Sequence, residues 1–219
     1  MIIIHIPIGN DFSIALWDDV INALVDRYSN NIKGLFSAHT HNDHLIFHRS
    51  RDNREKIIKT QFVGPSLTTF SYLNPSFRVI EVDADTNEVV DYTQYRLNIT
   101  KWNDIGPTAQ PRWEPIYKFR QEFGVQDATV TSMQMIYDKF RHDYHSMSRY
   151  VWNYYTGNRP LEQQVSATEA VRTLCEMYSN SRDQFRCLGL LAPKIASDKL
   201  PTLISSNLFA NYISFKSKP

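Results

Sequence analysis

Seven histidines occur in this chain, and five of them fall within the first 48 residues: His5, His39, His41, His44 and His48. Three have positions that suit chemistry. His5 closes an apolar run just before Pro7 and Gly9, and His39-Thr40-His41 follows a second apolar run. Neutral imidazole is the commonest metal ligand among side chains, and imidazoles converging from neighbouring loops suit zinc. On spacing alone two readings stay open, a metal site and an accidental His-x-His loop. His44 and His48 read as strand or rim residues with a solvated or hydrogen-bonded structural role. His142 and His145 sit three apart on a helical stretch and read as an exposed face.

The elements around these residues decide whether the three imidazoles can meet. Ile2 to Ile6 reads as a buried strand. Asp11-Phe12-Ser13 offers a helix start, and Ile14, Trp17, Val20, Ile21, Leu24, Val25 and Tyr28 form one apolar helical stripe. Asn30-Asn31 breaks it, and Ile32 to Ser37 is a second strand. In such a βαβ unit both strands run the same way, so His5 and His39-Thr40-His41 lie at the same sheet edge, where open α/β folds place their sites.

Two hairpins follow, Leu45-Ile46-Phe47 with Ile57 to Val63, and Arg78 to Val82 with Val89 to Leu97. Proline density from Trp102 to Pro115 predicts an irregular linker. Beyond it the spacing predicts helices over Trp113 to Phe123, Thr131 to Tyr155, Ala167 to Tyr178 and Gln184 to Leu191. The class is α/β with antiparallel hairpins, followed by a helical C-terminal subdomain, with the division placed at 1–104 and 105–219.

The 219 residues are 42% hydrophobic, enough for a sizeable core, and 24 Lys and Arg against 23 Asp and Glu leave a net charge of +1. That balance gives no electrostatic argument for nucleic acid as a partner. No apolar run approaches the ~20 residues of a membrane helix. The apolar start, Met1 to Ile8, lacks the layout of a signal peptide and reads as a buried strand whose upstream partner is missing. Cys175 and Cys187 leave the redox compartment open, and Asn98-Ile99-Thr100 is a glycosylation sequon.

Several of these segments together resemble the acid sphingomyelinase family of calcineurin-like metallophosphoesterases. Gly34-Leu35-Phe36-Ser37-Ala38-His39-Thr40-His41 resembles the Gly-His-x-His box, with Ala38 where a glycine is usual. His5-Ile6-Pro7-Ile8-Gly9 resembles the His-Ile-Pro-x-Gly element that precedes it. Gly64 to Phe70, Leu73-Asn74-Pro75-Ser76-Phe77-Arg78-Val79, Tyr95 to Thr100 and Pro111-Arg112-Trp113-Glu114 follow in the family's order. The likeness covers roughly residues 1 to 190 and corresponds to the C-terminal half of the catalytic domain, the second half of a βαβ sandwich.

The resemblance implies a phosphodiesterase with two zinc ions, His5 and His39 on one and His41 on the other, hydrolysing sphingomyelin to ceramide and phosphocholine. It implies a glycan on Asn98, a Cys175–Cys187 disulfide, peripheral contact with a membrane surface, and a secreted or lysosomal location. It also implies what is missing. The remaining metal boxes, the bridging aspartate and the leaving-group acid all belong upstream, so no catalytic acid is expected here and the chain is expected to be inactive alone. Asp143-Tyr144-His145 reads as a chance match to one of those boxes on a solvated face. Asp11 stands where the family has a cysteine, and half of such a fold is expected to expose an apolar face. Two further readings are a catalytically dead lipid- or protein-binding relative, with Trp152, Tyr154 and Tyr155 as its aromatic surface, and a phosphodiesterase for nucleotide-type substrates.

Overall fold

A computed structural model describes residues 1–10, 12–158 and 165–195, with side chains through residue 189. Asp11 and the part of the expected helical subdomain beyond residue 195 lie outside the described residues. The order is β1 (Ile2–Ile3), α1 (Ala15–Arg27), β2 (Leu35–Ser37), β3 (His44–Arg49), β4 (Ile57–Val63), β5 (Ser76–Val82) and β6 (Val89–Arg96). Then come α2 (Ile99–Ile105), β7 (Glu114–Lys118), α3 (Phe119–Phe123), α4 (Val130–His142), α5 (Tyr144–Tyr154), α6 (Ala167–Cys175) and α7 (Ser181–Ile195).

Two sheets result. The first has the order β1-β2-β4-β3, with β1, β2 and β4 parallel and β3 antiparallel to β4. The second is the antiparallel β5-β6-β7. The parallel β1–β2 pair joined through α1 is the βαβ start that the sequence predicts, and both hairpins form. An α/β arrangement followed by helices is therefore the architecture. The main core joins Leu45, Phe47 and Phe62 of the first sheet and Tyr92 of the second to Tyr137, Phe140, Met147 and Leu174 of the helices.

α1 departs from expectation. Its apolar stripe does not face the core: Ile14, Trp17, Val20, Leu24 and Tyr28 are exposed, and Val25 is the apolar residue it buries. Polar anchors set its orientation instead. The buried Asp18 carboxylate accepts the Gly9 N–H at 3.0 Å and the Ser13 hydroxyl at 3.0 Å. Asn22 donates to the carbonyls of Asp18 at 2.8 Å and Ser179 at 2.6 Å. Gly9 has φ +84°, and a Cβ there would sit 2.6 Å from the Ser179 carbonyl carbon, so only glycine lets the two loops touch. Ile2 to Ile6, read from the sequence as a buried strand, is strand only at Ile2–Ile3, and Ile2, Ile3 and Ile6 are exposed because β1 is the edge of its sheet. Apolar side chains are therefore exposed both at the outer edge of β1 and on the outer side of α1.

The stretch from Trp113 to Phe123 is likewise not one helix. Glu114–Lys118 forms β7 against β6, and only Phe119–Phe123 is helical. Its apolar residues satisfy a period of 2 as well as 3.6, and an edge strand tolerates Pro115, which has no N–H to donate. β7 lies beyond residue 104 and pairs with β6, which lies before it. The expected linker is helical at its start, where α2 begins from an Asn98 cap whose side chain accepts the Lys101 N–H at 3.1 Å. Farther on, Cys175 and Cys187 form a disulfide that ties α6 to α7. Closing a loop of that length contributes about 3 kcal/mol.

Candidate metal centre

The parallel pairing of β1 and β2 brings the histidines together. Ile4 N–H donates to the Phe36 carbonyl at 3.0 Å, and Ala38 N–H donates to the His5 carbonyl at 3.0 Å, so the ladder runs on into both loops. His5 Nε2 and His39 Nδ1 then lie 3.0 Å apart. The Phe12 ring meets His39 edge-on, with centroids 4.8 Å apart. His41 stands apart from this pair: its Nδ1 faces the Phe70 carbonyl at 3.5 Å, with the Phe70 ring 5.9 Å away. Among the described residues no group of three or more His, Cys, Asp or Glu side chains is gathered closely enough to hold an ion.

The loop backbone is strained at both histidines. His39 has φ 67° and His41 φ 65°, both in the left-handed region. Each such residue costs on the order of 1 kcal/mol or more. Ala38, where the family resemblance leads one to expect glycine, is not among the positive-φ residues, so its methyl group fits without strain. The Thr40 hydroxyl between the two histidines is buried without a hydrogen-bond partner.

A buried ion pair just after His41 anchors the loop. Asp43 is 2% exposed and its N–H donates to the Tyr154 carbonyl at 3.2 Å. Its carboxylate takes the Tyr117 hydroxyl at 2.5 Å and the Arg78 guanidinium. Arg78 also donates through Nε to Gln94 at 3.1 Å and lies 4.1 Å over the Tyr92 ring. Burial pushes the Asp43 carboxyl above its ordinary value, against the pull of Arg78 and the Tyr117 hydroxyl. Sequence reasoning missed this cluster. Asp43 lies 35 positions from Arg78 and 74 from Tyr117, and no local pattern links them.

His44 and His48 hold the strand beneath the loop. The Glu176 carbonyl can only accept, so His44 donates to it through Nε2 at 3.2 Å. Nδ1 of the neutral ring then accepts the Tyr150 hydroxyl at 2.9 Å, and that hydroxyl accepts the Leu45 N–H at 2.8 Å. His48 contacts Asn22 at 2.8 Å and Gln61 at 3.2 Å, and Gln61 reaches Ser37 at 2.7 Å. α1, β3, β4 and the end of β2 are thereby joined two residues before His39. Of the two structural roles open to these histidines, the structure selects the hydrogen-bonded one. Asp143 caps α5 by accepting the His145 N–H at 3.0 Å, and His145 is exposed, so Asp143-Tyr144-His145 is a helix cap. Trp152 stacks against Arg149, 4.6 Å from its ring, and Tyr154 packs on His44.

Two outcomes follow for stability. Arg78→Met leaves the Asp43 carboxylate buried and unpaired, and urea unfolding should register a loss of about 3–5 kcal/mol. A loss below about 1 kcal/mol would sink the anchoring role. Burial lowers His48 from 6.5 to about 4, so the folded chain refuses a proton that the unfolded chain accepts. This contribution is full above pH 6.5 and declines as pH falls toward 4, by about 3 kcal/mol. His48→Gln should flatten that decline in urea midpoints measured between pH 7 and pH 4; an unchanged slope refutes it.

No family model matches the chain. Individual proteins do. Sphingomyelin phosphodiesterase of Bos taurus is 28% identical over 211 residues, covering 94% of this chain and 33% of that protein. Sphingomyelin phosphodiesterase 2 of Caenorhabditis elegans is 31% identical over 143 residues, 63% of this chain and 23% of that protein. Acid sphingomyelinase-like phosphodiesterase 3b of Homo sapiens is 29% identical over 136 residues, 58% of this chain and 29% of that protein. The chain spans a third or less of the length of these relatives and corresponds to their C-terminal part. These likenesses, together with the order of motifs and the βαβ start, support a relationship to the acid sphingomyelinase-like phosphodiesterases.

Proposed function

We propose that this chain supplies the C-terminal share of a two-zinc phosphodiesterase centre that hydrolyses sphingomyelin to ceramide and phosphocholine, and that it is inactive alone. The observation that carries this reading is the convergence of His5 Nε2 and His39 Nδ1 to 3.0 Å at the end of two parallel strands. Two imidazole nitrogens on one tetrahedral zinc lie about 3.3 Å apart, given Zn–N bonds of about 2.0–2.1 Å. The pair therefore fits an ion with a shift of a few tenths of an ångström. His41 has Nδ1 turned to the Phe70 carbonyl, which leaves Nε2 as its free nitrogen for the second ion.

When bound, the zinc ions supply Lewis acidity at the phosphoryl group and lower the pKa of the hydrolytic water. The chain's own part is to hold. The three imidazoles act as ligands only when neutral, and the left-handed backbone at His39 and His41 fixes where they reach. Two histidines on one ion fall short of the three protein ligands typical of catalytic zinc. The missing ligands and the leaving-group acid belong to polypeptide that the relatives carry upstream, which agrees with the share of their length that this chain spans. The exposed edge of β1 and the outer side of α1 are where that polypeptide packs. The same reading places the protein in the secreted or lysosomal space, in peripheral contact with a membrane, with a glycan on Asn98.

Hydrolysis of bis(nitrophenyl) phosphate by the chain with added zinc should be negligible, while zinc should perturb the imidazole NMR signals of His5 and His39 and cease to do so in His39→Ala. Robust turnover that disappears in His41→Ala overturns the inactivity, and unmoved imidazole signals overturn the site. Produced in a secretory host, the chain should carry an endoglycosidase-sensitive mass that Asn98→Gln removes; an unmodified Asn98 counts against the location.

A further inference from the structure

The loop between β1 and α1 carries a side chain whose placement burial does not explain. Asp18 clamps that loop at both ends: Oδ1 accepts the Gly9 N–H and Oδ2 the Ser13 hydroxyl, each at 3.0 Å. Between them Asn10 makes a tight turn. Its side-chain oxygen accepts the Phe12 N–H at 3.0 Å, and its carbonyl accepts the Ser13 N–H at 2.8 Å. Phe12 is thereby held by the backbone around it, while the residue stays 69% exposed. An exposed phenylalanine carries no meaning on its own. This one meets a histidine of the candidate metal centre.

The His39 ring meets two others among the described residues. The His5 centroid is 4.9 Å away with the planes at 77°, and the Phe12 centroid is 4.8 Å away with the planes at 84°. Both are edge contacts, the arrangement that ring pairs favour. The outer torsion of a histidine side chain is broad, so the surroundings set the ring plane. The left-handed backbone at His39 fixes where the side chain starts and leaves that plane open. A quarter turn of the ring would carry Nδ1 off its line to His5 Nε2, now 3.0 Å away, and would abolish the edge contact with Phe12. One ring plane therefore serves both contacts.

We infer that Phe12 is a positioning residue for the metal centre, a role that rests on the reading of His5 and His39 as zinc ligands. Its ring holds the plane of His39 in which Nδ1 and His5 Nε2 converge. Phe12 acts through His39 and is not itself a ligand. The gain is preorganisation: an imidazole already turned toward the ion loses less freedom on binding it. A ring contact of this kind is worth about twofold to tenfold in an equilibrium constant.

The test compares wild type, Phe12→Ala and Phe12→Tyr by NMR, first stripped of metal with a chelator and then titrated with zinc. Without metal, Phe12→Ala should shift the His39 ring protons, weaken the His5–His39 ring NOEs and leave the His41 ring signals in place. With zinc, Phe12→Ala should bind about threefold to tenfold more weakly at His5 and His39, and Phe12→Tyr should restore the wild-type affinity. The urea midpoint should stay at the wild-type value, because the ring removed is largely exposed. His5–His39 NOEs of undiminished strength in Phe12→Ala overturn the positioning role, and so does equal zinc affinity in wild type and Phe12→Ala. A zinc loss that tracks a fallen midpoint and that Phe12→Tyr does not repair marks a merely structural ring and overturns it too. A wild type that takes up no zinc overturns the two-zinc reading, and the metal-free NOEs then decide the role of Phe12 by themselves.

Discussion

The Asp43–Arg78 pair fixes much of what surrounds it. Two charges taken out of water cost several kcal/mol each unless every lone pair and proton finds a partner. Here the carboxylate has Arg78 and the Tyr117 hydroxyl, and the guanidinium has Asp43, Gln94 and the face of Tyr92. Those partners come from the loop after His41, from all three strands of the second sheet, and from nowhere else. Breaking any one contact exposes the whole set to an unmet electrostatic demand. That demand holds the second sheet in register beneath the histidine loop, and the loop is positioned as a consequence.

α1 shows a second way of using polar groups. An amphipathic helix is ordinarily placed by its apolar stripe. Here Asp18 and Asn22 grip Gly9, Ser13 and Ser179, and the stripe is left facing outward. The orientation is therefore specified by hydrogen-bond geometry, which is directional, and not by hydrophobic burial, which is not. Such a helix keeps its direction whether or not its outer side is covered.

Much of this was legible in the residues. The parallel pair around α1, both hairpins and the common edge for His5 and His39 follow from periodicity and turn composition. Glu114–Lys118 was misread because Trp113, Tyr117 and Phe119 fall on alternate positions while Ile116, Phe119, Arg120 and Phe123 also fit a helical spacing, and only tertiary pairing with β6 decides between them. The stripe on α1 was seen, but a stripe declares that a face seeks cover and says nothing of what covers it. Asp43 carried no signal at all: one acid in a polar loop looks like any other until the fold delivers an arginine from a distant strand.

The left-handed backbone at His39 and His41 has a bearing on how such a loop can change over time. Glycine or asparagine occupies that conformation more readily than an imidazole does. Selection for folding stability alone would therefore drift toward those residues and away from histidine. A chain that retains imidazole at both positions resists its own thermodynamic gradient, and the persistence of both side chains in a homologue would register continued demand on the site.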